Sequence, residues 1–323
     1  MTILRRALAL VASLTSCTLL AASVQGTASA RTVDELCAGR GPIRAAALAH
    51  GVSDLGCSLV GRVVYAGRVS VVVPPAGVSA AGDGIGRHGD VTGLRVANTG
   101  SEVRAVVGAA ARSGGAGAGS DLPACQDRTF DLEGHRWATS LRYRVMLAKA
   151  PTRYHKRVLV RQIKAANVNM RKGRNTCGKP HLRTPVGHYL GHTSVQPNIK
   201  PGSTSITCGA YNTKNVVGFG NLPGGLLGWT CYWFLTGSGR MGAADIMIDT
   251  GDALTTHLPS TCTNKWDLEG IVTHEFGHVY GMAHTGSGHA NLTMQHAAKP
   301  CSTYARTLGL GDWLGMKKMY GAR

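Results

Sequence analysis

Acidic residues are scarce in this 323-residue chain: 17 Asp and Glu stand against 35 Lys and Arg, for a net charge of +18. Such a surplus is either a solvated basic surface or an attraction to acidic polymers. Aromatic residues are also few, 6% in all with only 4 Phe, whereas Gly reaches 44. A core made from this stock is light and interrupted by many turns. No run after residue 24 is long and apolar enough to cross a bilayer as a helix. There is no internal repeat and no basic patch interleaved with aromatics, so specific nucleic-acid binding is not expected. Hydrophobic residues at 43% and charged residues at 16% nevertheless suit a globular protein.

What is present begins with an export leader. Arg5 and Arg6 precede the apolar run "ALALVASLTSCTLLAASV" (7–24), and "ASA" (28–30) ends in small residues. This pattern predicts a signal peptide over 1–30, cleavage after Ala30 and a secreted product. The arginine pair also reads as a weak twin-arginine signal. "LTSC" (14–17) resembles a lipoprotein box that would place a lipid on Cys17, but the apolar run continues where a lipoprotein turns polar. Eight cysteines remain, an even set that reads as four disulfides in an exported chain. None stands in a C-x-x-C pair, which gives no support to a zinc ribbon or a thioredoxin-like site. Many pairings are open. The most economical joins neighbours: Cys37 with Cys57, Cys125 with Cys177, Cys208 with Cys231, and Cys262 with Cys301.

Residues 31–108 read as an N-terminal propeptide or accessory region. A helix is expected over "VDELCAGRGPIRAAALAHG" and short strands in "SLVGRVVYAGRVSVVVPP", with no cluster of acid, base or nucleophile. The Gly/Ala-rich stretch 109–120 is expected to be a linker. From 121 the pattern sharpens. "SLRYRVML" (140–147) alternates like a strand, and 154–170 carries Val158, Ile163, Ala166 and Met170 at helical spacing beneath a basic face. "NVVGFG" (215–220), "LLGWTCYWF" (226–234) and "AADIMID" (243–249) are strand-like. "DLEGIVTHEFGHVYGMA" (267–283) reads as a helix capped by Asp267, and 311–321 as a last helix. The fold class is α+β, with the main helix after the strands.

Within "THEFGHVYGMAH" (273–284), His274 and His278 are four apart and project from one face of a helix. Glu275 beside them can hydrogen-bond a metal-bound water without being a ligand. Gly281 accepts the left-handed backbone that stops the helix, and His284 then supplies a third nitrogen. Three histidines leave one position of a tetrahedral zinc open, as a catalytic site needs. The bland alternative, a helix that happens to be rich in histidine, suits a lone His-x-x-x-His far better than the full H-E-x-x-H-x-x-G-x-x-H string.

That string resembles the zinc site of the metzincin metalloproteases. Met294, in "NLTMQ" (291–295), matches the methionine of the turn beneath the metal in that group. The closing "RTLGLGDWLGMKKMYG" (306–321) resembles the C-terminal helix of the matrixin branch. Residues 121–323 as a whole are similar to bacterial, secreted matrixin-like domains. The resemblance implies a metzincin catalytic domain: a twisted mixed sheet, an active-site helix, a Met-turn and a C-terminal helix. It implies one catalytic Zn2+ and hydrolysis of a protein or peptide substrate, with Glu275 as general base. It also implies that substrate pairs with an edge strand, here around Leu227 and Gly228, although an interior strand is the alternative.

The departures matter too. Gln295 and His296 follow Met294 where many matrixins have Tyr-Pro, and no set of aspartates marks structural calcium, which stays possible but not readable. "TCGKP" (176–180) is similar to the matrixin thiol switch, but it lies inside the expected catalytic domain, so a disulfide from Cys177 is the better reading. If 31–120 inhibits, it does so by covering the cleft. His181, His188, His192 and His257 are expected at the surface or hydrogen-bonded, while His289 and His296 flank the Met-turn. Two other functions stay open: an envelope-associated binding module with an inactive or weakly active fold, and a cell-wall peptide hydrolase. The basic surplus leaves room for nonspecific attraction to anionic cell-wall polymers.

Overall fold

The computed structural model describes residues 33–53, 56–89, 92–108, 121–251 and 253–322. The expected leader with Cys17 and the expected linker at 109–120 lie outside these residues. The architecture is α+β, dominated by sheet. Its strands are β1 (Val52–Ser53), β2 (Val69–Val72), β3 (Val78–Asp83), β4 (Leu94–Asn98) and β5 (Glu102–Val107) from the first third of the chain. Then come β6 (Leu141–Val145), β7 (Gly187–His192), β8 (Ile206–Cys208), β9 (Val216–Gly220), β10 (Gly228–Leu235) and β11 (Met241–Asp249). The helices are α1 (Val33–Ala38), α2 (Lys156–Lys172), α3 (Leu268–Tyr280) and α4 (Leu310–Tyr320).

Nine strands form one sheet in the order β7-β6-β9-β11-β10-β3-β4-β5-β1. Pairing is parallel from β7 to β11 and antiparallel from there on. Strands from both sides of 109–120 therefore lie in a single sheet, and residues 31–323 form one compact unit. The expected division into two separate bodies is corrected by β3. Its backbone completes the hydrogen-bond ladder of β10, which the downstream half leaves open on that side. A second, five-stranded sheet repeats the mixing: β8 runs parallel to β2.

The strand β10 shows why the two halves cannot be drawn apart. It is buried on both faces, so it reads as a continuous apolar run. Tyr232 and Phe234 point into a core shared with Tyr143, Phe219, Phe276 and Trp313, beneath α2, α3 and α4. Trp229 and Trp233 point the other way, into a core between the two sheets with Val71, Val96, Ile206 and Met247. Each of these indoles buries about 200 Å², on the order of 5 kcal/mol before entropy is subtracted.

The helices follow their patterning, with one exception. In α2 the buried stripe is Leu159, Ile163, Ala166 and Met170, so Leu159 takes the place expected of Val158, and the helix stops at the left-handed Gly173. The exception is the first expected helix. It survives only as α1, followed by a short strand at Ile43–Arg44 and a 3-10 turn at Ala45–Leu48. Gly39, Gly41 and Pro42 interrupt it, because glycine and proline are the poorest helix formers. Among the described residues no helix is long and apolar enough to cross a membrane.

All four neighbour disulfides form: Cys37–Cys57, Cys125–Cys177, Cys208–Cys231 and Cys262–Cys301. Four such bonds point to an oxidising compartment. Cys177 is thus engaged with Cys125 and is no free thiol.

Candidate metal centre

Helix α3 starts where Asp267 accepts a hydrogen bond from the Gly270 amide at 2.7 Å, an N-cap held in turn by Arg306 at 2.5 Å. It ends at Gly281, whose φ of +104° suits glycine alone, and where a Cβ would run into the His135 carbonyl. The chain turns there and brings His284 back beside the helix. The Nε2 atoms of His274, His278 and His284 lie 3.0, 3.1 and 3.2 Å from one another.

The outer nitrogens explain this convergence. His274 Nδ1 donates to the Thr293 carbonyl at 2.7 Å and His278 Nδ1 to the Met282 carbonyl at 3.0 Å. Each bond places the proton on Nδ1 and turns the Nε2 lone pair inward. His284 Nδ1 faces a carboxylate, Asp83 Oδ1, at 3.4 Å. Burial lowers the pKa of all three rings, that of His274 to about 4, so they stay neutral and ready to ligate. Three lone pairs this close repel unless a cation sits between them. The donor set and spacing fit a tetrahedral ion with bonds of about 2.0–2.1 Å, which separate nitrogens by about 3.3 Å. This buried three-histidine group could therefore hold a metal ion.

Glu275 is wholly buried next to the triad. Its Oε2 accepts the Thr230 hydroxyl at 2.5 Å and its Oε1 the Ile85 amide at 3.2 Å. Burial raises its pKa to about 8 despite those two donors, and a cation among the histidines opposes that rise. Gly228 makes room for it: a Cβ there would fall 2.5 Å from Glu275 Oε1.

Met294 lies fully buried beneath the helix, against Gly277. Its turn is fixed by Asp312 of α4, whose carboxylate accepts the amides of Thr293, Met294 and Gly309 at 2.7, 3.0 and 2.9 Å. Burial pushes Asp312 up to about 6.

Every site residue expected from the sequence is thus brought to one place: His274, Glu275, His278, Gly281, His284 and Met294, with Leu227 and Gly228 above them. One expectation is corrected. The strand holding Leu227 and Gly228 is not a free edge, because residues 78–87 lie along it. Ile85 N donates to Gly228 O at 3.2 Å, Ile85 O accepts from Leu227 N at 2.9 Å, and Arg87 N donates to Gly225 O at 3.1 Å. His289 pairs with Asp127 at 2.8 Å and His296 bonds the Gly286 carbonyl, while His181, His188, His192 and His257 are exposed, as expected.

Sequence reasoning missed Asp83, Glu133, Thr230 and Asp312. Asp83, Glu133 and His278 form a second close group, but it shares His278 with the triad and Arg95 already neutralises Glu133 at 2.5 Å. Asp83 sits in a region read as lacking chemistry, and only the pairing of β3 with β10 delivers it. No family model matches the chain, and no curated protein matches it either.

Proposed function

We propose that this protein is a secreted zinc-dependent endopeptidase of the metzincin type, matrixin-like, with His274, His278 and His284 as zinc ligands. The observation that carries the reading is the convergence of three inward-facing Nε2 atoms beside an intact, buried Glu275. A zinc ion held there supplies Lewis acidity, polarising a scissile carbonyl and making water a stronger acid. Glu275 takes the proton of the attacking water and hands it to the leaving amine. Thr230 orients that carboxylate, and Met294 with Asp312 supports the floor on which the histidines rest. The backbone of Leu227 and Gly228 holds an extended peptide by β-augmentation. The exposed basic face of α2, with Lys156, Arg157, Arg161 and Lys164, favours contact with anionic cell-wall polymers.

An intact Glu275 favours an enzyme over a binding module, which needs no base. The test compares the wild type with Glu275→Ala on a mixed peptide library, with and without chelator, alongside metal content. The expected result is one zinc per chain in both proteins and chelator-sensitive cleavage in the wild type only. Cleavage that persists in the variant would refute the assignment of the base.

A further inference from the structure

The histidines and Glu275 are between 0% and 4% exposed, so no substrate reaches them in this conformation. What covers them is the chain itself. After β3 leaves the sheet at Asp83, Gly84–Arg87 continue as an extended segment running over the site. One side bonds Gly225, Leu227 and Gly228, and on the other the Gly86 carbonyl accepts the Ala298 amide at 3.0 Å. Gly86 bridges Leu226 on one flank and Ala297 on the other. An extended backbone gripped along both edges is how a cleft holds a peptide. Ile85, 1% exposed, inserts its side chain into the helical core with Leu227 and Phe276, an aliphatic anchor below that backbone.

The same five residues engage the chemistry. Asp83 turns its carboxylate to His284 Nδ1, and the Ile85 amide occupies Oε1 of Glu275. We propose that Asp83–Arg87 is a built-in, displaceable occupant of the peptide slot, and that the form described is latent until this segment leaves. The inference rests on the zinc reading above and adds its regulation: an internal peptide in the place of substrate, not a thiol, keeps the site closed. By the same geometry, the peptide that replaces it is extended and carries an aliphatic side chain where Ile85 lies.

The test uses the chain without residues 1–30, loaded with cobalt, whose visible spectrum reports ligation. Acetohydroxamic acid is the probe, and Ile85→Asp is the opening variant, because a buried charge cannot stay in that core. The variant is expected to bind the probe about tenfold or more tightly than the wild type, since a competent fraction below about a tenth weakens apparent affinity by that factor. Binding to the wild type is expected to be slow and to reach a limiting rate as probe concentration rises, set by opening. Equal affinity with a rate that stays linear in probe would overturn the latency proposal while leaving the metal site intact. Failure to take up cobalt in either protein would instead remove the zinc reading, and the inference with it. Should Ile85→Asp not fold, Ile85→Ser and the wild-type rate law decide the matter alone.

Discussion

Glu275 is held in place by three neighbours far from it in sequence, and each can be tested singly. At Gly228 even one methyl group would collide with its carboxylate. Gly228→Ala is therefore expected to lower kcat by about 100-fold, the scale of a misplacement near 1 Å, with zinc content unchanged by elemental analysis. The local string of histidines was legible because ligand spacing on a helix is a short-range pattern. Asp83 and Ile85 were not, because their contacts with His284 and Glu275 span about two hundred residues and leave no local period.

A second residue sets a pH dependence of stability. Asp245 accepts the amides of Val216 and Asn198 at 2.7 and 2.6 Å, and burial raises its pKa to about 7. A raised carboxyl favours the neutral form on folding. Its contribution is complete below the ordinary carboxylate range and is lost as pH rises through about 7. The melting temperature is expected to fall between pH 5 and pH 8, and calorimetry of Asp245→Asn should show a shallower fall. An identical slope in both would rule Asp245 out as the source.

Among the elements, α4 matters through one side chain. Asp312 serves three buried amides of the Met-turn and its own helix start, and its loss would orphan them. Asp312→Ala is expected to cost about 3 kcal/mol or more in urea unfolding, and to weaken zinc binding by loosening the carbonyl of Thr293 under His274. A drop in stability with unchanged zinc affinity would mean the turn does not position the ligand. The strands and helices after residue 121 could be read from their periodicity. The first helix could not, because Gly39, Gly41 and Pro42 outweigh its apolar spacing, and the partner of β10 could not, because pairing between distant strands is written in no single segment.

At the scale of the molecule, the disulfide Cys125–Cys177 closes a separation of 52 residues. Replacing both cysteines by serine is expected to cost about 4 kcal/mol in the chain-entropy model and to leave latency unaltered, measured as probe binding to the cobalt form. A more open site in that double variant would restore a role for the thiol. The eight cysteines and the α+β class were accessible from composition and pattern. The union of the two halves was not, since a Gly/Ala-rich stretch looks the same between separate bodies as inside one.

That union limits how the enzyme could ever be switched on. Trp229 and Trp233 face the core between the sheets, and much of what covers them comes from residues 36–105. Shedding that whole region would strip the indoles bare and leave β10 with an unpaired rim, a surface prone to stick to any neighbour. A durable active form must therefore keep its first third and release only the few residues beyond β3, much as a latch lifts while the door frame stays.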